Sequence, residues 1–196
     1  MIAEKYIFYV FCYLIGSVPF GYVIAKYFSG EDISKKGSGN IGATNVSRVA
    51  GKKLGAVTLL LDFLKGLLPV IIYERLYQED NLGLMIVAGA CVIGHIFSIF
   101  RKFKGGKGIA TGLGTLFALN PIIGGICVAL WILIFLATRI SSAAALISFM
   151  ISPFAAFLLE SGNTELIIYC FILSVGIILT HINNIKRLLS GKENKF

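Results

Sequence analysis

Long apolar runs alternate along the chain with short polar segments rich in glycine and basic residues. The first run extends from about Tyr6 to Phe28, and within it Gly16 and Gly21 flank Pro19, a setting for a kink and for close helix contact. A polar stretch, Lys35 to Arg48, separates it from a second run, Leu54 to about Tyr73. An acidic loop with Glu74, Glu79 and Asp80 leads to a third run, Leu82 to Phe100, and then to the basic loop RKFKGGKG. Gly108 to Leu119 would form a helix of about 18 Å, short for a hydrocarbon core of about 30 Å, and Asn120-Pro121 ends it. Pro121 to Thr138 and Ser141 to Leu159 are clear spans divided at Arg139. After the link from Glu160 to Glu165, the last run covers Leu166 to about His181, and HINNIKRLLSGKENKF leaves the membrane.

This pattern predicts an all-α integral membrane protein, one polytopic domain over residues 1–196, built as a bundle of seven transmembrane helices. If the short segment fails to cross and a second weak span is lost with it, five remain. A hydrophobic fraction of 57%, a charged fraction of 14% and a mean hydropathy of +0.85 exclude an ordinary soluble domain. The first run lacks a basic leader and a small-residue cleavage site, so it reads as a retained span.

A net charge of +8 raises the question of nucleic acid. The basic residues, however, fall in short loops between spans, where the positive-inside rule accounts for them. With seven spans, the polar stretch, RKFKGGKG, Arg139 and the tail share one side, leaving Lys5 and Arg75 on the other and Lys26 and Lys65 within spans. The N-terminus is therefore expected outside and the C-terminus in the cytoplasm, with membrane lipid and anionic substrates, not nucleic acid, as partners. Cys12, Cys91, Cys127 and Cys170 lie scattered in apolar runs and read as small buried hydrophobes. Asp62 and Lys65 share a helical face inside a span, where they are expected to pair, and His95 reads as a buried, hydrogen-bonded residue.

The candidate chemistry sits in the polar segments. Gly37, Gly39 and Gly42 lie among Ser38, Asn40, Thr44 and Asn45, and Arg48 closes the stretch. Glycines let successive N–H groups converge on an anion, the polar side chains add donors, and Arg grips phosphate with a fork. The same glycines match G-x-G-x-x-G, but a membrane helix precedes them and no Lys-Ser or Lys-Thr follows, which excludes dinucleotide and P-loop readings. In FKGGKG, Lys104, Gly105, Gly106 and Lys107 precede a helix start, a second expected anion site. His181 and Asn184, one helical turn apart, could contact an oxyanion or a hydroxyl. There is no carboxylate cluster for a divalent metal and no Gly-x-Ser-x-Gly nucleophile elbow, so neither metal nor cofactor is expected.

GSGNIGATNVSR, LDFLKGLLP, GHIFSIFRKFKGGKGIATGLG and HINNIKRLLSGKE resemble, in order, signature segments of the bacterial acyl-phosphate-dependent glycerol-3-phosphate acyltransferases (the PlsY family). The resemblance implies transfer of a fatty acyl group from acyl phosphate to the 1-hydroxyl of sn-glycerol 3-phosphate, giving lysophosphatidic acid and phosphate in phospholipid synthesis. It implies that Ser38, Asn45 and Arg48 bind substrate phosphate and the developing oxyanion. Lys104, Gly105, Gly106 and Lys107 would hold the glycerol 3-phosphate headgroup, with His181 and Asn184 lining the same pocket and Glu193 supporting structure. The resulting set is His181, Asn184, Arg48 and Ser38 as catalytic residues, with Asn40, Thr44, Asn45 and the Lys104–Lys107 loop as further substrate contacts. A monomer in the bacterial inner membrane, its site at the cytoplasmic face, completes the expectation. Two candidates stand for the general base: His181, or a phosphate oxygen of a bound substrate, which the lack of an acid–base pair favours. A transporter or channel for a small phosphorylated anion is the alternative; it would line a path through the spans with polar residues and often show an internal repeat.

Overall fold

The computed structural model describes residues 2–196, and all regular elements among them are helices. The chain divides into two compact units, Met1–Ala118 and Leu119–Phe196.

The first unit begins with α1 (Ile2–Ser17) and α2 (Phe20–Ser29), two halves of the first apolar run. The break falls at Val18-Pro19, where proline has no N–H to donate and its ring obstructs the preceding turn. Then come α3 (Ala43–Ala50), α4 (Lys52–Leu76), α5 (Asn81–Ile96), a 3-10 turn at Ile99–Arg101 and the short α6 (Ile109–Leu119). Glycine brings backbones into direct contact here. A Cβ on Gly16 of α1 would lie 2.2 Å from the Cys91 carbonyl oxygen of α5, and one on Gly94 would lie 2.3 Å from the Tyr13 oxygen. Between α4 and α6, Gly66 and Gly114 stand in the same relation to the carbonyls of Thr111 and Phe63, at 2.2 and 2.1 Å. Helices in lipid gain little from hiding apolar surface from one another, so close van der Waals contact through small residues holds them. At the α4–α5 turn, Asp80 caps α5 through the Gly83 N–H, and its Oδ2 accepts from Lys5 and Tyr73, each at 2.6 Å. Those charged and hydroxyl donors hold the Asp80 carboxyl down at about 2.

The second unit contains α7 (Pro121–Thr138), α8 (Ser141–Leu159), α9 (Thr164–Thr180) and α10 (Ile182–Leu189). Asn120 accepts from the N–H groups of Ile122 and Ile123, both at 3.0 Å, so Asn-Pro starts α7 as firmly as it ends α6. Arg139 turns the chain between α7 and α8 in the left-handed region, at φ 60°.

Among the described residues, five segments are long and apolar enough to cross a membrane: Ala3–Ser29, Lys52–Leu76, Asn81–Arg101, Pro121–Thr138 and Ser141–Leu159. The bent pair α9 and α10 makes a sixth if counted together, and α6 is an apolar helix of lesser length. Large apolar side chains such as Ile7, Phe154, Phe157 and Leu158 are exposed, which a soluble protein avoids and a lipid-facing surface requires.

The kink expected at Pro19 falls between α1 and α2, which together make one candidate span, Ala3–Ser29. The last span ends at Thr180, beside the expected His181. Two features go beyond the sequence reading: the polar stretch is helical from Ala43 onward, and the tail forms α10, bent from α9 by 64°.

Replacing Gly16 with Val drives a side chain into the Cys91 backbone, which cannot yield as a flexible side chain would. The expected loss is about 1–3 kcal/mol or more of stability, read as a lowered melting temperature in detergent. Gly89→Ala, where nothing lies within 4 Å of the added carbon, should leave it unchanged.

Candidate active site

Asn45 organises the first polar segment. Its side chain is buried, its Oδ1 accepts from the Ser38 N–H at 2.9 Å, and its Nδ2 reaches the carbonyls of Ile33, Lys36 and Asn40 at 3.1, 3.0 and 2.8 Å. One amide from α3 thus ties down a loop that has no ladder of its own. Gly37, at φ 61°, lies so close to that amide that a Cβ would come within 2.2 Å of Oδ1. Gly39 donates to the Lys36 carbonyl at 3.1 Å, and Gly42 donates to the Asn40 side chain at 2.7 Å. The N–H groups of Ser38, Gly39 and Gly42 are thus engaged within the loop rather than converging on one anion. Ser38 and Arg48 are exposed on it, and Asn40 and Thr44 are half-buried. At its start, the Ser34 hydroxyl and N–H bind Asp32 and hold its carboxyl below the ordinary range, and Lys36 pairs with Glu31.

The second segment shows the same economy. Gly105 donates to the Ile96 carbonyl at 2.9 Å and Gly106 to the His95 carbonyl at 3.0 Å, so both N–H groups cap the end of α5. This corrects their expected role as backbone anion donors. They are glycines because a Cβ on Gly105 would lie 2.0 Å from the His95 oxygen, and one on Gly106 would lie 2.1 Å from His95 Nε2. Lys104 is exposed and Lys107 half-buried on either side, and α6 starts at Ile109 with its first-turn N–H groups at the loop end. Arg101, which sequence reasoning did not single out, stacks its guanidinium 3.8 Å from the Tyr22 ring centroid. Tyr22 in turn packs on Ala25, Ile33, Ile41 and Val46, the apolar base of the first loop. The two phosphate-binding candidates of this unit are thereby neighbours. No local signal announced that contact, since Tyr22 lies in a different span.

Within the second unit, His181 sits at the bend between α9 and α10, buried, with Nδ1 2.8 Å from the Ile177 carbonyl. A carbonyl can only accept, so Nδ1 carries the proton in the neutral ring and the acceptor lone pair falls on Nε2. Asn184, also buried, donates through Nδ2 to Glu193 at 2.6 Å. Glu193 also accepts from Ser142 at 2.9 Å and from Arg187 Nε at 2.6 Å. Burial works to raise its carboxyl, but the Arg187, Asn184 and Ser142 donors outweigh that and hold it below the ordinary range. Glu193 is the hub of the tail, in line with its expected supporting role. Among the described residues no group of three or more His, Cys, Asp or Glu side chains is arranged to hold a metal.

A family model described as Glycerol-3-phosphate acyltransferase matches residues 6–191. The chain is 41% identical to the Glycerol-3-phosphate acyltransferase of Aquifex aeolicus over 187 residues, 95% of this chain and 96% of the relative. It is 44% identical to that of Gluconobacter oxydans over 184 residues, 92% and 88% of the two chains. Among solved structures it resembles PlsY (YgiH), an integral membrane glycerol 3-phosphate acyltransferase. The glycerol 3-phosphate form gives a TM-score of 0.93 at 39% identity, covering 98% of this chain and 96% of the other. The lysophosphatidic acid form gives 0.91 at 38% identity, covering 98% and 95%.

Asn45→Asp keeps the acceptor for Ser38 but replaces the donor to three carbonyls with a negative charge. The first loop is expected to open at a cost of about 1–3 kcal/mol. Limited proteolysis between Ile33 and Ala43 should then accelerate by roughly tenfold or more, whereas Asn40→Asp, which retains its acceptor for Gly42, should change it little.

Proposed function

As a member of the glycerol-3-phosphate acyltransferase family the chain is a membrane enzyme of phospholipid synthesis, and we propose that its acyl donor is an acyl phosphate. The observation that supports this reading is the set of cationic and hydroxyl side chains carried on two loops whose shape glycine and asparagine hold. Both substrates bear phosphate, and Arg48, Lys104 and Lys107 are suited to it by charge and Arg48 also by its fork. Ser38, Asn40 and Thr44 add neutral donors; Asn45, Gly105 and Gly106 serve the site by fixing loop shape.

In the reaction the 1-hydroxyl oxygen of glycerol 3-phosphate attacks the acyl carbonyl carbon. A carbon–oxygen bond forms, the bond from that carbon to the phosphate oxygen breaks, and phosphate leaves with its electron pair. The acyl phosphate is a mixed anhydride, already activated, so orientation and charge stabilisation suffice and no enzyme nucleophile is needed. The proton goes to a phosphate oxygen of a bound substrate, whose second pKa near 6 suits it. His181 and Asn184 orient the hydroxyl and stabilise the oxyanion. No cofactor or metal takes part in this scheme. We further propose a monomeric single domain with seven spans, counting α6 and the bent α9–α10 pair. The N-terminus lies outside and the site faces the cytoplasm of the bacterial inner membrane, an orientation favoured by the basic loops.

Purified protein in detergent, given palmitoyl phosphate and glycerol 3-phosphate, should release phosphate and form lysophosphatidic acid, with acyl-CoA inert as donor. Turnover from acyl-CoA alone would overturn the donor assignment. Arg48→Lys should lose about two orders of magnitude in kcat/KM, because a point charge replaces the bidentate grip; near-normal turnover would remove Arg48 from the site. If a substrate phosphate is the base, His181→Gln should keep measurable activity, and its rate should still fall as pH drops below about 6 while that phosphate protonates. Complete loss of turnover with substrate affinity intact would assign the base to His181 instead.

A further inference from the structure

We infer that Asp62, Lys65 and His95, buried inside the spans, are positioning residues for the glycine loop at Lys104–Lys107 that binds the glycerol 3-phosphate headgroup, an inference that rests on the acyltransferase reading above. Ionisable side chains inside a bundle are costly, and a well-packed apolar replacement is often as stable. A buried pair that served stability alone would have no need to face a residue that touches the functional loop. This pair faces His95, and His95 touches the loop.

Lys65 pairs with Asp62 Oδ1 at 2.7 Å, and both side chains are 3% exposed. Its ammonium also donates to the Val18 carbonyl at 2.8 Å, at the break before Pro19, an oxygen that also accepts from the Phe20 N–H at 3.1 Å. His95 Nδ1 stands 3.6 Å from the same Asp62 oxygen, just outside hydrogen-bond length, so the imidazole faces the carboxylate. The other side of the ring meets the loop. Gly106 lies against Nε2 so closely that a Cβ would come within 2.1 Å of it, and the Gly106 N–H binds the His95 carbonyl at 3.0 Å. A polar chain therefore runs from the break between α1 and α2, through Lys65, Asp62 and His95, to the backbone between Lys104 and Lys107.

The loop needs such a floor. Lys102, Phe103 and Gly108 all hold positive φ, at 52°, 61° and 86°, and for the two with side chains that conformation persists only where neighbours enforce it. If the imidazole tilts or is lost, the glycines shift and both lysines move with them. Glycerol 3-phosphate should feel that shift, and the acyl phosphate should feel it less. The Lys65–Asp62 pair sets the ring from behind, so its removal should act in the same direction.

The test compares steady-state kinetics of the full chain in detergent for wild type, His95→Ala, His95→Gln, Asp62→Asn, Gly106→Ala and the double variant His95→Ala/Gly106→Ala. His95→Ala, Asp62→Asn and Gly106→Ala should each raise KM for glycerol 3-phosphate about tenfold, with KM for palmitoyl phosphate within about twofold of wild type. His95→Gln should recover part of the loss. The double variant should bind glycerol 3-phosphate better than Gly106→Ala alone, because removing the ring gives the new methyl its space. If His95→Ala does not fold, His95→Gln and Gly106→Ala carry the comparison, since Gly106→Ala retains all three ionisable side chains. An unchanged KM for glycerol 3-phosphate would overturn the inference. So would a parallel rise in both KM values with a lowered melting temperature, which marks a structural role only. Wild type that fails to turn over these substrates would instead remove the acyltransferase reading, and the inference with it.

Discussion

A backbone carbonyl or amide inside a bilayer must find its partner within the protein, because no water is there to supply one. Uninterrupted helices satisfy this by themselves. This chain interrupts its helices repeatedly, and at several interruptions a side chain takes over. Lys65 serves the Val18 carbonyl at the first break, and the Ser98 hydroxyl serves Ser17 beside it at 2.6 Å. Tyr13 binds the Phe97 carbonyl at 2.8 Å where α5 ends. Asn45 performs the same service for three carbonyls in the first polar loop.

The site inherits its form from that requirement. Irregular backbone is where outward-facing Arg, Lys and Ser side chains can be presented at a membrane surface, yet irregular backbone must first be made stable. Asn45, Gly105 and Gly106 serve that first task. The same loops carry the cationic and hydroxyl side chains that the proposed phosphorylated substrates would call for. In the second unit Glu193 plays the part that Asn45 plays in the first, gathering Ser142, Asn184 and Arg187 around one carboxylate. The bend at His181 places at a helix end an imidazole whose tautomer is fixed by the Ile177 carbonyl.

Such an arrangement would suit the activated donor proposed above. Catalysis by position and charge needs rigid placement more than reactive side chains, and rigidity here comes from backbone contact through glycine and from buried polar groups. The density of glycine in the apolar runs is the sequence trace of that rigidity. At Gly16, Gly66, Gly94 and Gly114 the partner is another helix's carbonyl oxygen, so the spacing between helices is set by backbone atoms rather than by compressible side chains.

The local sequence located the five long apolar helices, the break at Pro19, the start of α7 at Asn120-Pro121 and the Asp62–Lys65 pair, because each depends on neighbours within a turn or two of one helix. The polar segments that carry the chemistry were legible for the same reason: apolar runs leave few other places for it. Sequence could not show that α3 is a helix, since its Gly42 cap makes no side-chain bond and the segment has no apolar stripe long enough to betray it. Nor could it show that the Asn45 amide and the Gly105 and Gly106 N–H groups bind carbonyls of distant segments, since only the folded chain brings those of Ile33, Ile96 and His95 there. Local chemistry fixes which residues can bind; long-range packing decides which of them are already occupied.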